Sequence, residues 1–202
     1  MRHFLKRASL HHAVAIVTMA WCFSLPIHAD SGNFARRAVG AGDNHGQMFA
    51  VIDKTSATFS LYDATGRLVA ASPALLGLAR GDASVLGIGD RPIRDIAPHE
   101  RTTPAGRFAS EPGKNLQGQT VVWIDYDAAV SLHSLRPSDP IEKRRERLAS
   151  PTPSDNRITY GCVNLPVEFY ERWVLPTLGK KAGVIYVLPE EQPAKDHFVF
   201  LR

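Results

Sequence analysis

The stretch ITYGCVN, Ile158–Asn164, places a cysteine directly after a glycine, between short apolar residues and the proline at 166. The 202-residue chain has two cysteines, Cys22 and Cys162. Cys22 lies in an N-terminal stretch with the pattern of an export leader, so Cys162 is the single thiol expected in the processed protein. One cysteine forms no internal disulfide. In an exported chain an odd thiol is a reactive group, an intermolecular partner or a buried inert side chain, and the residues alone leave these open.

The leader reading rests on Arg2, Lys6 and Arg7, the apolar run AVAIVTMAWCFSL (13–25), Pro26 and the small Ala29. The apolar run is shorter than the ~20 residues a membrane span needs. We expect a signal peptide over 1–29, cleavage after Ala29, and a secreted or periplasmic protein without stable membrane insertion. The leader holds three of the 24 basic residues and no acidic one, which leaves 21 against 20. With no basic stripe interleaved with aromatics, nucleic acid is not an expected partner.

Residues 30–47 (DSGNFARRAVGAGDNHGQ) are Gly-rich and polar, and read as a flexible lead-in. From Met48 the texture becomes that of strands. MFAVID and ATFSLYD read as a hairpin, followed by RLVAASPALLGL, PAGRFAS, TVVWIDYD and AAVSLHSL. In the last of these Val130 and Leu132 alternate with Ser131 and His133. PSDPIEKRRERLASPTPSDNR (137–157) is a charged, proline-flanked excursion with a short helix over 141–148. PVEFYERWVLPTL (166–178) has Val167, Tyr170, Val174 and Leu178 at helical spacing, with Pro176 ending or kinking the helix. GVIYVLP reads as a core strand and HFVFLR as an edge strand. The expectation is a mainly β domain over 48–202, a mixed β-sandwich with one main helix after the cysteine loop.

A thiol nucleophile needs a base or a cation, because a free thiol is only a few per cent ionised at neutral pH. Four histidines follow the leader: His45, His99, His133 and His197. His133 alone falls on an expected strand, which makes it the best candidate base. The helix beginning near Pro166 would aim its positive end at Cys162. Gly161 would let the amides of Tyr160, Gly161 and Cys162 converge on an oxyanion. There is no HExxH, CxxC or GxxxxGK, and no cofactor or metal is expected.

These parts resemble the L,D-transpeptidase (YkuD-like) catalytic domain. The resemblance runs from about Met48 to Leu188 and rests on VIDKTSATFSLYD, TTPAGRF (102–108), SLHSL (131–135) and ITYGCVN. It implies an enzyme in which Cys162 attacks a peptidoglycan stem peptide after its meso-diaminopimelate. A thioester forms, D-Ala leaves, and an amine from a second stem then attacks. His133 is the implied general base, oriented by the backbone carbonyl of Ser134, with Gly161 and Cys162 as oxyanion donors. The implied partners are stem peptides as acyl donor and amine acceptor.

Two positions depart from the family pattern. Tyr160 stands where a histidine is usual, and Asn164 stands where arginine is commoner. His133 and Cys162 are also 29 positions apart, and the excursion absorbs the extra length. We expect 137–157 to cap the cleft, with Arg136, Arg144 or Arg157 supplying the missing cation. A hydrolase on the same scaffold, and a catalytically silent wall-binding module, are the alternatives.

Overall fold

The structure is a computed structural model that describes residues 29–137 and 139–202. Residues 1–28 of the expected leader lie outside the described residues. Among the described residues ten strands follow in chain order: β1 (Phe49–Asp53), β2 (Thr58–Tyr62), β3 (Leu68–Pro73), β4 (Leu76–Gly77), β5 (Gly106–Lys114), β6 (Thr120–Asp125), β7 (Val130–Ser134), β8 (Arg157–Thr159), β9 (Val163–Leu165) and β10 (Gly183–Leu188). Eight of them form one mixed sheet in the order β3-β2-β1-β10-β5-β6-β7-β9, while β4 pairs with β8. The fold is mainly β with few helices, in line with the sequence reading.

The sheet almost closes on itself. Leu75, just past β3 at one end, makes an antiparallel bridge to Asn164 in β9 at the other. Both backbone hydrogen bonds are present, Leu75 N to Asn164 O at 2.9 Å and Asn164 N to Leu75 O at 3.0 Å. Period-two alternation fills the interior: Ala50, Ile52, Phe59, Leu61, Val122, Leu132, Val163, Ile185 and Val187 point into one fully enclosed core.

The alternate residues of β1 and β10 also need cover, which explains the fate of the N-terminal segment. Residues 30–47 are not a flexible lead-in. Helix α1 (Ala29–Gly40) lays Phe34, Ala35 and Ala38 on Phe49, Val51, Val184 and Tyr186, forming a second core. Its composition hid it, because the apolar residues are few and helical stability here comes from packing, not propensity. The C-terminal tail completes the same cover. HFVFLR is not an edge strand: α4 is a short helix (Ala194–His197), a 3-10 turn follows, and Phe198 is buried against Phe34 and Tyr186.

The excursion contains a 3-10 turn at Pro140–Glu142 and helix α2 (Arg144–Ala149). The segment after Pro166 is shorter than its periodicity suggests. Helix α3 covers only Val167–Phe169, and Tyr170–Val174 then widens into a π-turn closed by Leu175 N to Tyr170 O. Pro176 has no N–H to offer the carbonyl of Arg172, so the α ladder cannot continue. The expected apolar face survives in Tyr170, Val174 and Leu178, all buried.

Behind the cysteine loop lies a buried ion cluster. Lys54, fully enclosed, donates to Asp82 at 2.7 Å and to the carbonyls of Gly81 and Thr103, and Glu190 lies 3.7 Å away. The amides of Glu190, Glu191 and Gln192 all donate to Asp82. The cluster ties the β1–β2 turn, the loop before β5 and the chain after β10 together.

Candidate active site

Strand β7 lies parallel to β9, with Leu132 opposite Val163 and His133 opposite Asn164. Leu132 and Val163 face the core. Ser131 and His133 therefore share the other face with Asn164 and with Cys162, which immediately precedes β9. The sulfur sits against Ser131: the backbone N–H donates to Sγ at 3.5 Å, and Oγ lies 3.6 Å away. The thiol contacts the Ala129 carbonyl at 3.7 Å, and the residue is only partly buried.

The cysteine loop has one permitted geometry. Gly161 has φ of 130°, a region L side chains avoid, and a Cβ there would stand 2.7 Å from the Thr102 carbonyl oxygen. Thr103, fully buried, donates to the Gly161 carbonyl at 2.8 Å and accepts from Gly77 N at 2.9 Å. Thr159 Oγ1 donates to the Cys162 carbonyl at 2.6 Å and accepts the Gly161 amide at 3.1 Å. That amide thus points inward, and Gly161 is not placed as an oxyanion donor. A helix end is not aimed at Cys162 either, because β9 separates it from the one-turn α3. Tyr160 is partly exposed, with the Arg101 guanidinium over its ring at 3.9 Å.

His133 is held at both ring nitrogens. Nδ1 lies 2.8 Å from the Ser134 carbonyl oxygen, and Nε2 lies 3.1 Å from Asn164 Nδ2. Asn164 Oδ1 in turn accepts from Arg144 at 2.9 Å. Burial, joined by the positive charges of Arg136 and Arg144, lowers the imidazole to a pKa of about 4, against the opposing pull of the Ser134 carbonyl. No direct bond joins Sγ to the imidazole. They are diagonal neighbours across two strands, and the Asn164 amide occupies the ring nitrogen.

The candidate cations separate. Arg157 is structural: it pairs with Glu190 and donates to the Lys54 carbonyl, closing the buried cluster. Its position beside the cysteine loop in sequence gave no sign of this. Arg136 is near the thiol. Burial lowers its pKa, while the neighbouring Cys162 and Tyr170 act to raise it. Among the described residues, one Arg136 guanidinium nitrogen and the Tyr170 hydroxyl are buried without a hydrogen-bond partner, and burial lifts Tyr170 to about 12. Alongside opens a cleft of about 600 Å3 where Arg136, Lys143, Arg144 and Arg145 outnumber Asp139 and Glu146. Sequence reasoning missed Ser131, Thr103 and the Arg144–Asn164 contact. The alternation of AAVSLHSL places Ser131 on the face of His133, which is the signal that would have found it.

No protein-family model and no curated protein matches the sequence. Solved structures do. Several of those it resembles are L,D-transpeptidases. The enzyme from Mycobacterium smegmatis is 19% identical with a TM-score of 0.40, over 70% of this chain and 58% of that one. The catalytic domain of the E. faecium L,D-transpeptidase is 16% identical with a TM-score of 0.41, over 71% and 98%. The helical cell shape determining protein Pgp2 from Campylobacter jejuni is 15% identical with a TM-score of 0.44, over 80% and 57%. The chain thus spans under two thirds of the M. smegmatis and C. jejuni chains it matches. Among the described residues no helix is long and apolar enough to cross a membrane.

Proposed function

We propose that the chain is an exported cysteine acyltransferase of the L,D-transpeptidase type, acting on peptidoglycan stem peptides. The observation that carries this reading is the common face of β7 and β9, where the partly open Cys162 sulfur, an N–H donor from Ser131 and an oriented neutral imidazole meet.

His133 takes the thiol proton at Nε2 as the Asn164 N–H swings away from it. The sulfur adds to the stem carbonyl, with the Cys162 amide as the oxyanion donor in place of Gly161. The peptide C–N bond breaks, the imidazolium returns its proton to the departing amine of D-Ala, and a thioester remains. An acceptor amine then adds to that thioester, gives up a proton to His133, and expels the thiolate. Arg136 and the basic cleft of the excursion receive a stem carboxylate, which supplies the partner that the buried guanidinium nitrogen lacks among the described residues.

Incubating the 30–202 protein with tetrapeptide muropeptides tests this by mass spectrometry. Crosslinked dimers with loss of D-Ala support transfer, and shortened stems without dimers support a hydrolase. The Asn164 amide on Nε2 favours a second reading, a silent wall-binding module. Unchanged muropeptides, with slow thiol alkylation at neutral pH, would establish that reading instead.

A further inference from the structure

Arginine has only donors to offer. The Asn164 atom that meets Arg144 is therefore Oδ1, and the atom turned to His133 is Nδ2, a donor. Nε2 must then accept, so the ring proton sits on Nδ1, where the Ser134 carbonyl receives it. The chain of donors runs one way, from Arg144 through Asn164 and His133 to Ser134. Asn164 is 1% exposed, so water does not compete for its amide. Arg144 is itself fixed by Glu142, which accepts from its Nε at 2.7 Å.

We propose that Arg144 is a positioning residue: from the 137–157 excursion it sets the orientation of the Asn164 amide, and through it the basicity of His133, whose Nδ1–H the Ser134 carbonyl holds. This rests on the reading of His133 as the base. It gives the excursion a role distinct from capping, since the extra length between histidine and cysteine delivers the side chain that governs the histidine. The charged and titratable groups around the ring are Arg136 beyond β7, Arg144 on α2 with its partner Glu142, and Cys162 before β9. Tyr170 on the π-turn acts at one remove, through Arg136. Without Arg144 the amide is free to turn Oδ1 toward Nε2–H, and one nearby positive charge is gone. Both changes favour the imidazolium.

The test is ring-nitrogen NMR of the histidines in the 30–202 protein, with His133 assigned by loss of its signal in His133→Gln. Unmodified protein should show a neutral Nδ1–H ring at pH 6. Arg144→Gln should raise the His133 midpoint by more than one pH unit, and the acid limb of iodoacetamide alkylation should move with it. Arg144→Lys, which keeps a cation and a donor, should shift the midpoint by less than half as much. No shift in either variant, equal shifts in both, or an Nε2–H ring in the unmodified protein overturns the proposal. The NMR readout needs no turnover. Inactivity on muropeptides with these shifts intact would sink the reaction and leave the role of Arg144 standing.

Discussion

Thr103 Oγ1 donates to the carbonyl of Gly161 at 2.8 Å, fastening the loop that carries Cys162 to the chain leading into β5. The same hydroxyl accepts from Gly77 N, so one buried side chain holds two backbone groups. Thr103→Val keeps the shape and removes both bonds. Two buried polar groups left unsatisfied cost about 1–3 kcal/mol each. We expect a loss of about 2–4 kcal/mol by urea denaturation and slower alkylation of Cys162, with Thr103→Ser close to the parent on both measures.

Lys54→Met should destabilise more. It leaves Asp82 buried without its cation, and breaking a buried pair costs about 3–5 kcal/mol. The pH behaviour follows from Asp82. Burial would raise its pKa, but the Lys54 ammonium and three backbone amides outweigh it and hold the group at about 2. An unfolded aspartate titrates near 3.9. The Asp82 contribution is complete above about pH 4 and disappears as pH falls toward 2. A stability curve that stays flat across that window would contradict this account.

His133 acts in a different window. Its folded pKa of about 4 lies below the ordinary 6.5, so between these values the unfolded chain binds more protons. Stability should therefore rise with pH from 4 to 6.5, by up to about 3 kcal/mol from this residue. His133→Gln should flatten that part of the curve. Equal slopes in the two proteins, measured as urea midpoints, would place the titration elsewhere.

Arg136→Met separates binding from stability. Its buried guanidinium nitrogen has no partner among the described residues, so removing it should leave the urea midpoint unchanged or raise it slightly. If the side chain receives a substrate carboxylate, KM for muropeptides should rise about tenfold or more, the scale of one charge-assisted hydrogen bond of about 1.5–3 kcal/mol. An unchanged KM removes Arg136 from the site.

Phe34→Ala probes the cover of the outer sheet face. Phe34 makes edge contacts with Tyr186, Phe198 and Phe200. The cavity should cost about 3–5 kcal/mol. Little change in melting temperature would return residues 30–47 to the status of a flexible lead-in.

Most strands were legible because β-branched and aromatic residues alternate along them, and the β7 pattern of Val130, Ser131, Leu132 and His133 announces its two faces directly; β8 and β9, three residues each on either side of the cysteine, are too short to show a period. Helix α1 was not, since Phe34, Ala35 and Ala38 become a stripe only once the outer faces of β1 and β10 need covering. Arg157 and Arg144 were equally plausible as site cations in the sequence. Only tertiary contacts send one to Glu190 and the other to Asn164. The Thr159 hydroxyl on the Gly161 amide is likewise invisible to spacing, because it depends on the φ that Gly161 adopts.

Asn164 closes the sheet with its main chain, through Leu75, and caps His133 with its side chain. The seam of the nearly closed sheet and the group on the imidazole nitrogen are thus one residue. Any breathing that parts β9 from Leu75 also displaces the carboxamide, so thermal opening of the scaffold and unmasking of the ring nitrogen share a single coordinate. The exchange rate of the Asn164 amide proton should report both.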